Sequence, residues 1–184
     1  MKKIFFAYGL GNSLYFPLRV GGAGIFLPDE SRPDMVLDTM DKYGPTVFYS
    51  VPTSYAALLQ MAEKEGRTGL GRVRLCVSTG APLPKPIFER WRERFGVEIL
   101  DGIGSTEALH IFISNRPREA KGDSTGKMVP GYDARIVDDK GQSLRWAASI
   151  PHWSVIKHFS GLFISQKLLI SSKEPESVTW FIIY

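Results

Sequence analysis

The chain has 184 residues, 43% of them hydrophobic, and a formal net charge of +4. That is enough for one ordinary domain with a real core and too little for two large ones. The basic residues are scattered, and the densest group, Arg90, Arg92 and Arg94, is interleaved with Glu89 and Glu93, a mixed-sign helix face that suits solvent and argues against nucleic acid.

At the amino terminus, Met1-Lys2-Lys3 followed by Ile4-Phe5-Phe6-Ala7-Tyr8 imitates a secretory signal. Glycines, Asn12 and Arg19 then interrupt the apolar run, and Gly22-Ala23-Gly24 makes a poor cleavage site. No stretch reaches the roughly 18 consecutive apolar residues of a membrane span. A cytoplasmic protein without membrane partners is expected.

From residue 4 to about residue 138, short apolar strands alternate with amphipathic helices, the pattern of an α/β fold with a mostly parallel, doubly wound sheet. Gly24 to Leu27 reads as a strand. Pro33 opens a helix that sets Val36, Leu37, Met40 and Tyr43 on one face, and Thr46 to Val51 is the next strand. Pro52-Thr53 starts a helix carrying Tyr55, Leu58, Leu59 and Ala62 inward, followed by a buried strand from Val73 to Ser78. That strand holds Cys76, the only cysteine, so no intrachain disulfide is possible and a reducing compartment fits. His110, His152 and His158 share no metal-ligand spacing with Cys76, which excludes structural zinc. Pro86 begins a further helix with Ile87, Trp91 and Phe95 at four-residue spacing, and Gly96 is placed to close it in the left-handed conformation. Val97 to Leu100 then forms the strand that leads into the richest motif of the chain.

Asp101-Gly102-Ile103-Gly104-Ser105-Thr106-Glu107 follows that strand, at the sheet edge where open α/β folds bind ligands. Gly102 and Gly104 let main chain approach a ring or a phosphate closely. Thr106 can donate a hydrogen bond to a phosphate oxygen, and Glu107 offers the hard oxygen that Mg²⁺ prefers. The same residues also suit a glycine turn followed by a Ser/Thr cap on a short helix. Ser78-Thr79-Gly80-Ala81-Pro82-Leu83-Pro84 leaves a neighbouring strand end, so the two segments would border one crevice; alone, it is equally a plain strand-to-helix turn. Other motifs fail on spacing. Gly9-Leu10-Gly11 lacks the third glycine of a dinucleotide fingerprint, with Leu14 in its place, and Gly122 to Lys127 is one residue short of a P-loop and is followed by Met128. No nucleophile elbow occurs, and Cys76 has no neighbouring base.

Composition changes after Gly141-Gln142. Of 18 glycines only Gly161 lies beyond, and of 19 acidic residues only Glu174 and Glu176, whereas Trp146, Trp153 and Trp180 crowd the tail. Residues 1–142 are therefore expected to form the α/β unit, and 143–184 a divergent tail, exposed or out of frame, that does not continue the βα rhythm.

Four segments occur together in a telling order: Phe5 to Asn12, Ser78 to Pro84, Asp101 to Phe112, and Gly126-Lys127-Met128-Val129-Pro130-Gly131-Tyr132. In this the chain resembles the adenylate-forming (acyl-CoA synthetase, AMP-dependent ligase) superfamily over residues 3 to 142, and most of all its benzoate-CoA ligase branch. The resemblance implies the fold of the large domain of those enzymes and a two-step reaction. An aromatic carboxylate attacks the α-phosphorus of ATP with Mg²⁺, giving acyl-AMP and pyrophosphate, and coenzyme A then takes the acyl group. It further implies that Gly80, Ala81, Pro82, Asp101, Gly102, Ile103, Gly104 and Ser105 line the nucleotide pocket, that Thr106 contacts the α-phosphate, and that Glu107 holds Mg²⁺. The acyl slot would use Ala7, Tyr8, Gly102, His110 and Ile111. His110, superfluous as a base toward an already ionised acid, would donate a hydrogen bond to the substrate carboxylate; the other reading is a satisfied histidine at a helix start.

The chain departs from that family in having aliphatic Ile103 where many members carry an aromatic residue. A pyrophosphate loop, a ribose-binding motif and the lid with its adenylation lysine are not found, so the chain reads as a central piece with little turnover of its own. Three alternatives stand beside the ligase: an aryl-acid adenylating domain that loads a carrier protein, a non-catalytic nucleotide- or acyl-binding module, and a truncated gene product. Oligomeric state is not legible.

Overall fold

The computed structural model describes residues 4–27, 32–136, 162–166 and 180–183. Near the amino terminus, α1 (Ala7–Leu10) passes through a π-helical turn, Gly11–Tyr15, into α2 (Phe16–Arg19). Gly9-Leu10-Gly11 thus lies within helical backbone and forms no strand-to-helix loop. A π turn inserts one extra residue and rotates the following side chains, a device frequent at functional sites; here it sits where the candidate site is built.

The βα units follow as the alternation predicts: β1 (Ala23–Phe26), α3 (Pro33–Tyr43), β2 (Val47–Ser50), α4 (Pro52–Lys64), β3 (Leu75–Ser78), α5 (Lys85–Phe95) and β4 (Ile99–Gly104). Proline occupies the first or second position of α3, α4 and α5, where the missing N–H costs no helical bond. Gly96 ends α5 in the left-handed region, φ 67°, and donates to the Arg92 carbonyl. Side chains alternate across the sheet. Phe48, Cys76 and Ile99 face a core built with Val36, Leu37, Met40, Tyr55, Leu58, Leu59, Phe88 and Trp91, while Val47, Tyr49 and Val77 pack with Ile111 and Tyr8. Full burial of such side chains is worth roughly 1.5–3 kcal/mol each before entropy is counted. Tyr43 departs from its expected inward face and is 54% exposed; on α5 the most buried residues are Phe88 and Trp91, with Ile87 and Phe95 only half-buried against the core.

Strands β2, β3 and β4 pair in parallel. Beyond β4 the direction changes, since β5 (Ile111–Ser114) and β6 (Lys127–Met128) are antiparallel. The link from β4 to β5 has too few residues for the crossover that a parallel neighbour requires, so only a hairpin can form. Two further pieces of the sheet pattern come from the tail. β7 (Tyr132–Ile136) pairs with β8 (Leu162–Gln166), and β9 (Trp180–Ile183) lies in the main sheet between β1 and β2, parallel to both. The main sheet runs β1-β9-β2-β3-β4-β5-β6. One segment of the tail, β9, thus joins the main sheet although the tail's sequence does not continue the βα rhythm. A parallel slot left between β1 and β2 accepts any short extended segment of adequate reach, whatever its position in the sequence.

Candidate active site

Ser78 pairs in register with Asp101, so the segments leaving β3 and β4 start side by side at the carboxyl edge of the sheet. Thr79 Oγ1 donates to the Gly102 carbonyl at 2.8 Å, and Leu83 N–H donates to Asp101 Oδ2 at 3.4 Å. The two segments are therefore fastened together before any ligand arrives. Asn115 joins them from β5's far end, donating from its backbone N–H (3.0 Å) and from Nδ2 (3.2 Å) to the Asp101 carbonyl, and from Nδ2 to the Ser124 carbonyl.

Asp101 to Gly104 belong to β4 itself, so the glycine turn expected there starts later, at Ser105. The close approach that the glycines permit is to the protein's own chain. A Cβ on Gly102 would fall 2.8 Å from Ile111 Cγ2, and one on Gly104 would fall 2.6 Å from the His110 carbonyl oxygen. No helix starts at Ser105: its Oγ accepts from Ala108 N–H at 3.2 Å, and Leu109 N–H donates to the Thr106 carbonyl, closing a turn. Leu109 completes it in the left-handed region, φ 64°, which a leucine adopts only at a cost of roughly 1–2 kcal/mol. That turn delivers His110 directly to the start of β5, not to a helix.

The result is a cavity of about 140 Å³. It is comparable with an apolar protein cavity, on the order of 150 Å³, that admits benzene. Phe6, Ala7 and Tyr8 wall it from the N-terminal helix, Thr79 and Gly80 from the segment after β3, Gly104, Ser105 and Thr106 from the end of β4, and His110 and Ile111 from β5. Eight of the residues expected from the sequence thus meet at one place: Ala7, Tyr8, Gly80, Gly104, Ser105, Thr106, His110 and Ile111. Ala81, Pro82, Asp101, Gly102, Ile103 and Glu107 lie outside the lining. Asp101 is buried behind the cavity with only 4% exposed, Ile103 packs against Ala108, Phe112 and Ile113, and Glu107 is exposed beside Thr106. One exposed carboxylate suits Mg²⁺, which keeps most of its waters and takes one or two carboxylates together with substrate phosphates. Among the described residues no group of three or more His, Cys, Asp or Glu is placed to hold a metal.

Burial governs the charges here. It raises the Asp101 carboxyl to about 7 against bonds from Leu83, Ser78 and Gly102 that lower it. It lowers His110 to about 4 and pushes the Tyr8 and Cys76 protons well up, Cys76 to about 12. At neutral pH the side of the cavity formed by Tyr8 and His110 is uncharged. His110 Nε2 lies 2.8 Å from Asn12 Oδ1, its ring stacks on Tyr8 at 5.2 Å between centroids, and Phe16 meets it edge-on at 4.6 Å. Sequence reasoning left Phe6, Asn12, Phe16 and Thr79 out of the site. Thr79 was detectable from its place in the small-residue segment after β3; Asn12 and Phe16 gain their roles only from a contact between distant parts of the chain.

The chain belongs to the AMP-binding enzymes, whose family model matches residues 2–147. It is 46% identical over 147 residues to benzoate–CoA ligase of Thauera aromatica, covering 79% of this chain and 27% of that enzyme. It is 43% identical to anthranilate–CoA ligase of Pseudomonas aeruginosa, covering 80% of this chain and 28% of that one. Among solved structures it resembles a benzoate CoA ligase from Burkholderia xenovorans, with a TM-score of 0.71 and 44% identity over 78% of this chain and 29% of that one. An anthranilate CoA ligase in complex with anthranoyl-AMP gives a TM-score of 0.73 and 43% identity over 78% of this chain and 28% of that one. The chain spans between a quarter and a third of the length of these relatives.

Proposed function

We propose that this chain forms the part of an AMP-forming aryl-CoA ligase where an aromatic carboxylate, with benzoate or a close analogue the best fit, meets the α-phosphate of ATP. What carries the reading is the convergence in one cavity of a small aromatic slot (Tyr8, His110, Ile111) and a threonine-bearing strand end (Gly104, Ser105, Thr106). A carboxylate lying in the slot would be directed toward Thr106, whose hydroxyl would donate to a phosphoryl oxygen, and Glu107 would hold Mg²⁺, which when bound supplies countercharge to the phosphoryl group. The Gly80-Ala81-Pro82 segment and β4's end would flank adenine, with aliphatic Ile103 giving no ring stacking. Coenzyme A is the acyl acceptor, in keeping with the benzoate–CoA and anthranilate–CoA ligases that the chain resembles. The free, buried Cys76 supports a cytoplasmic setting, and residues 1–142 are proposed as the unit that carries the site, with 143–184 a divergent tail from which Trp180–Ile183 joins the main sheet.

Among the described residues lining the cavity there is no lysine or arginine, so beyond the Thr106 hydroxyl the phosphoryl charge would rely on a bound Mg²⁺. The isolated chain is therefore expected to bind an aryl adenylate and to turn over little. Calorimetry with a non-hydrolysable benzoyl-adenylate analogue, against adenosine and benzoate separately, tests the reading. Binding of the joined molecule well above either half supports it; equal or absent binding of all three overturns it. A robust benzoate-dependent ATP–pyrophosphate exchange would overturn the low-turnover expectation.

A further inference from the structure

His110 is held more firmly than a histidine that must turn toward a ligand. His110 Nε2 lies 2.8 Å from Asn12 Oδ1, while Tyr8 stacks on the ring and Phe16 meets its edge. Gly11 makes the seat: a Cβ there would stand 2.7 Å from His110 Cδ2. Asn12 is fully buried, and its Nδ2 has no hydrogen-bond partner among the described residues, so its one side-chain bond is the one to His110; the neighbouring Tyr8 is fixed separately, through its hydroxyl. That hydroxyl donates toward the Val77 carbonyl at 3.1 Å and the Ser50 carbonyl at 3.3 Å.

A carbonyl can only accept, and a neutral imidazole carries a single N–H. Asn12 Oδ1 faces Nε2, so Nε2 bears the proton and donates it to Asn12. The only N–H is then used by the protein and none remains for a substrate carboxylate. Tyr8 is the titratable group among the ring's described contacts, and burial keeps its phenol protonated; the other neighbours, Phe16 and Asn12, carry no charge. Burial likewise disfavours the imidazolium.

We infer that Asn12 is a positioning residue: it locks His110 as a neutral ring with its N–H committed to the protein, so that the pocket presents His110 to an arene as an uncharged aromatic wall. This deepens the aryl-pocket reading, rests on it, and replaces the carboxylate-donor role that resemblance alone implies for His110. It also specifies the substrate class. Aromatic monocarboxylates fit, whereas a ring bearing a second anionic group against this wall meets no countercharge.

The test uses the whole chain with ¹⁵N-labelled histidine. The His110 signals are assigned by their loss in His110→Gln, and two-bond proton–nitrogen correlations are recorded from acidic to neutral pH. Wild type is expected to show one neutral tautomer throughout the near-neutral range. In Asn12→Ala the tautomers should mix, because Nε2–H loses its acceptor. In the near-isosteric Asn12→Asp, whose carboxylate favours the imidazolium, the titration midpoint should rise. A wild-type His110 that exchanges freely between tautomers and titrates like free imidazole overturns the inference, as do Asn12→Ala and Asn12→Asp spectra that superimpose on wild type. Binding of the benzoyl-adenylate analogue should weaken about tenfold in Asn12→Ala. Spectra as expected, with no aryl-adenylate binding by wild type, would support the lock and overturn the aryl pocket, so the two failures are distinguishable.

Discussion

Thr79 Oγ1 donates a 2.8 Å hydrogen bond to the Gly102 carbonyl, which fastens the segment leaving β3 to the neighbouring strand end beneath the cavity. Thr79→Val keeps the shape and removes the donor, leaving a buried carbonyl with one partner fewer. The expected cost is about 1–2 kcal/mol of stability, with weaker binding of the adenylate analogue because Gly80 loses its anchor. Thr79→Ser should retain most of both. Urea midpoints and calorimetry on the two variants check this, and a Thr79→Val protein matching wild type in both measurements would remove the clamp from the account.

Asp101 should make stability depend on pH in a direction opposite to most carboxylates. Burial raises its folded value from 3.8 to about 7, so between those limits the folded state binds more protons than the unfolded one. By linkage, stability is then greatest at the acid end of the window, falls as pH climbs through it, and levels off above about 7. The effect is expected to be on the order of a few kcal/mol at most. Asp101→Asn, which cannot ionise, should flatten that slope while keeping an acceptor for Leu83 N–H. Denaturant unfolding of both proteins across the window measures it; identical slopes would show that Asp101 does not carry the effect.

Gly104 and Gly11 both exclude a side chain near His110, but for different reasons. At Gly104 a methyl group would meet the His110 main chain, 2.6 Å from its oxygen, and backbone cannot swing aside. At Gly11 it would meet the imidazole ring. Gly104→Ala is therefore expected to cost about 1–3 kcal/mol of stability through strand displacement. Gly11→Ala should cost less stability and, by tilting His110, lose proportionally more aryl-adenylate affinity. Thermal unfolding paired with calorimetry separates the two effects, and a Gly104→Ala protein of wild-type stability would contradict the geometry.

The parts that could be read from the sequence share one property: they depend on near neighbours. Helical spacing exposed the inward faces of α3, α4 and α5, and Gly96 marked its own left-handed cap, because each signal lies within a turn or two. Asp101 to Gly104 misled for the same reason, since glycines next to a strand look like a turn until β5 is known to fill the space where their Cβ atoms would be. Asn12 was beyond reach. Its partner His110 is 98 residues away, and in one dimension an asparagine among apolar residues is only an interruption. Tyr43 sits on the helical pattern yet faces out, because hydrophobic spacing identifies a face but not where that face ends.

The position of β9 has a consequence that can be measured directly. Ile182 is paired on both sides, opposite Ile25 of β1 and Phe48 of β2, so its backbone is part of two ladders. Proline has no N–H to donate and is tolerated only at sheet edges or bulges. Ile182→Pro should therefore expose the inner edges of both β1 and β2, at a cost of about 2–4 kcal/mol and with a tendency to associate through the freed strands. Ile182→Val, which keeps the ladder and the β-branched shape, is the control. Hydrogen exchange is the readout: amides of β1 and β2 should exchange at least about tenfold faster in the proline variant and unchanged in the valine one. Protection in β1 and β2 that survives Ile182→Pro would show that the tail does not occupy the slot between them.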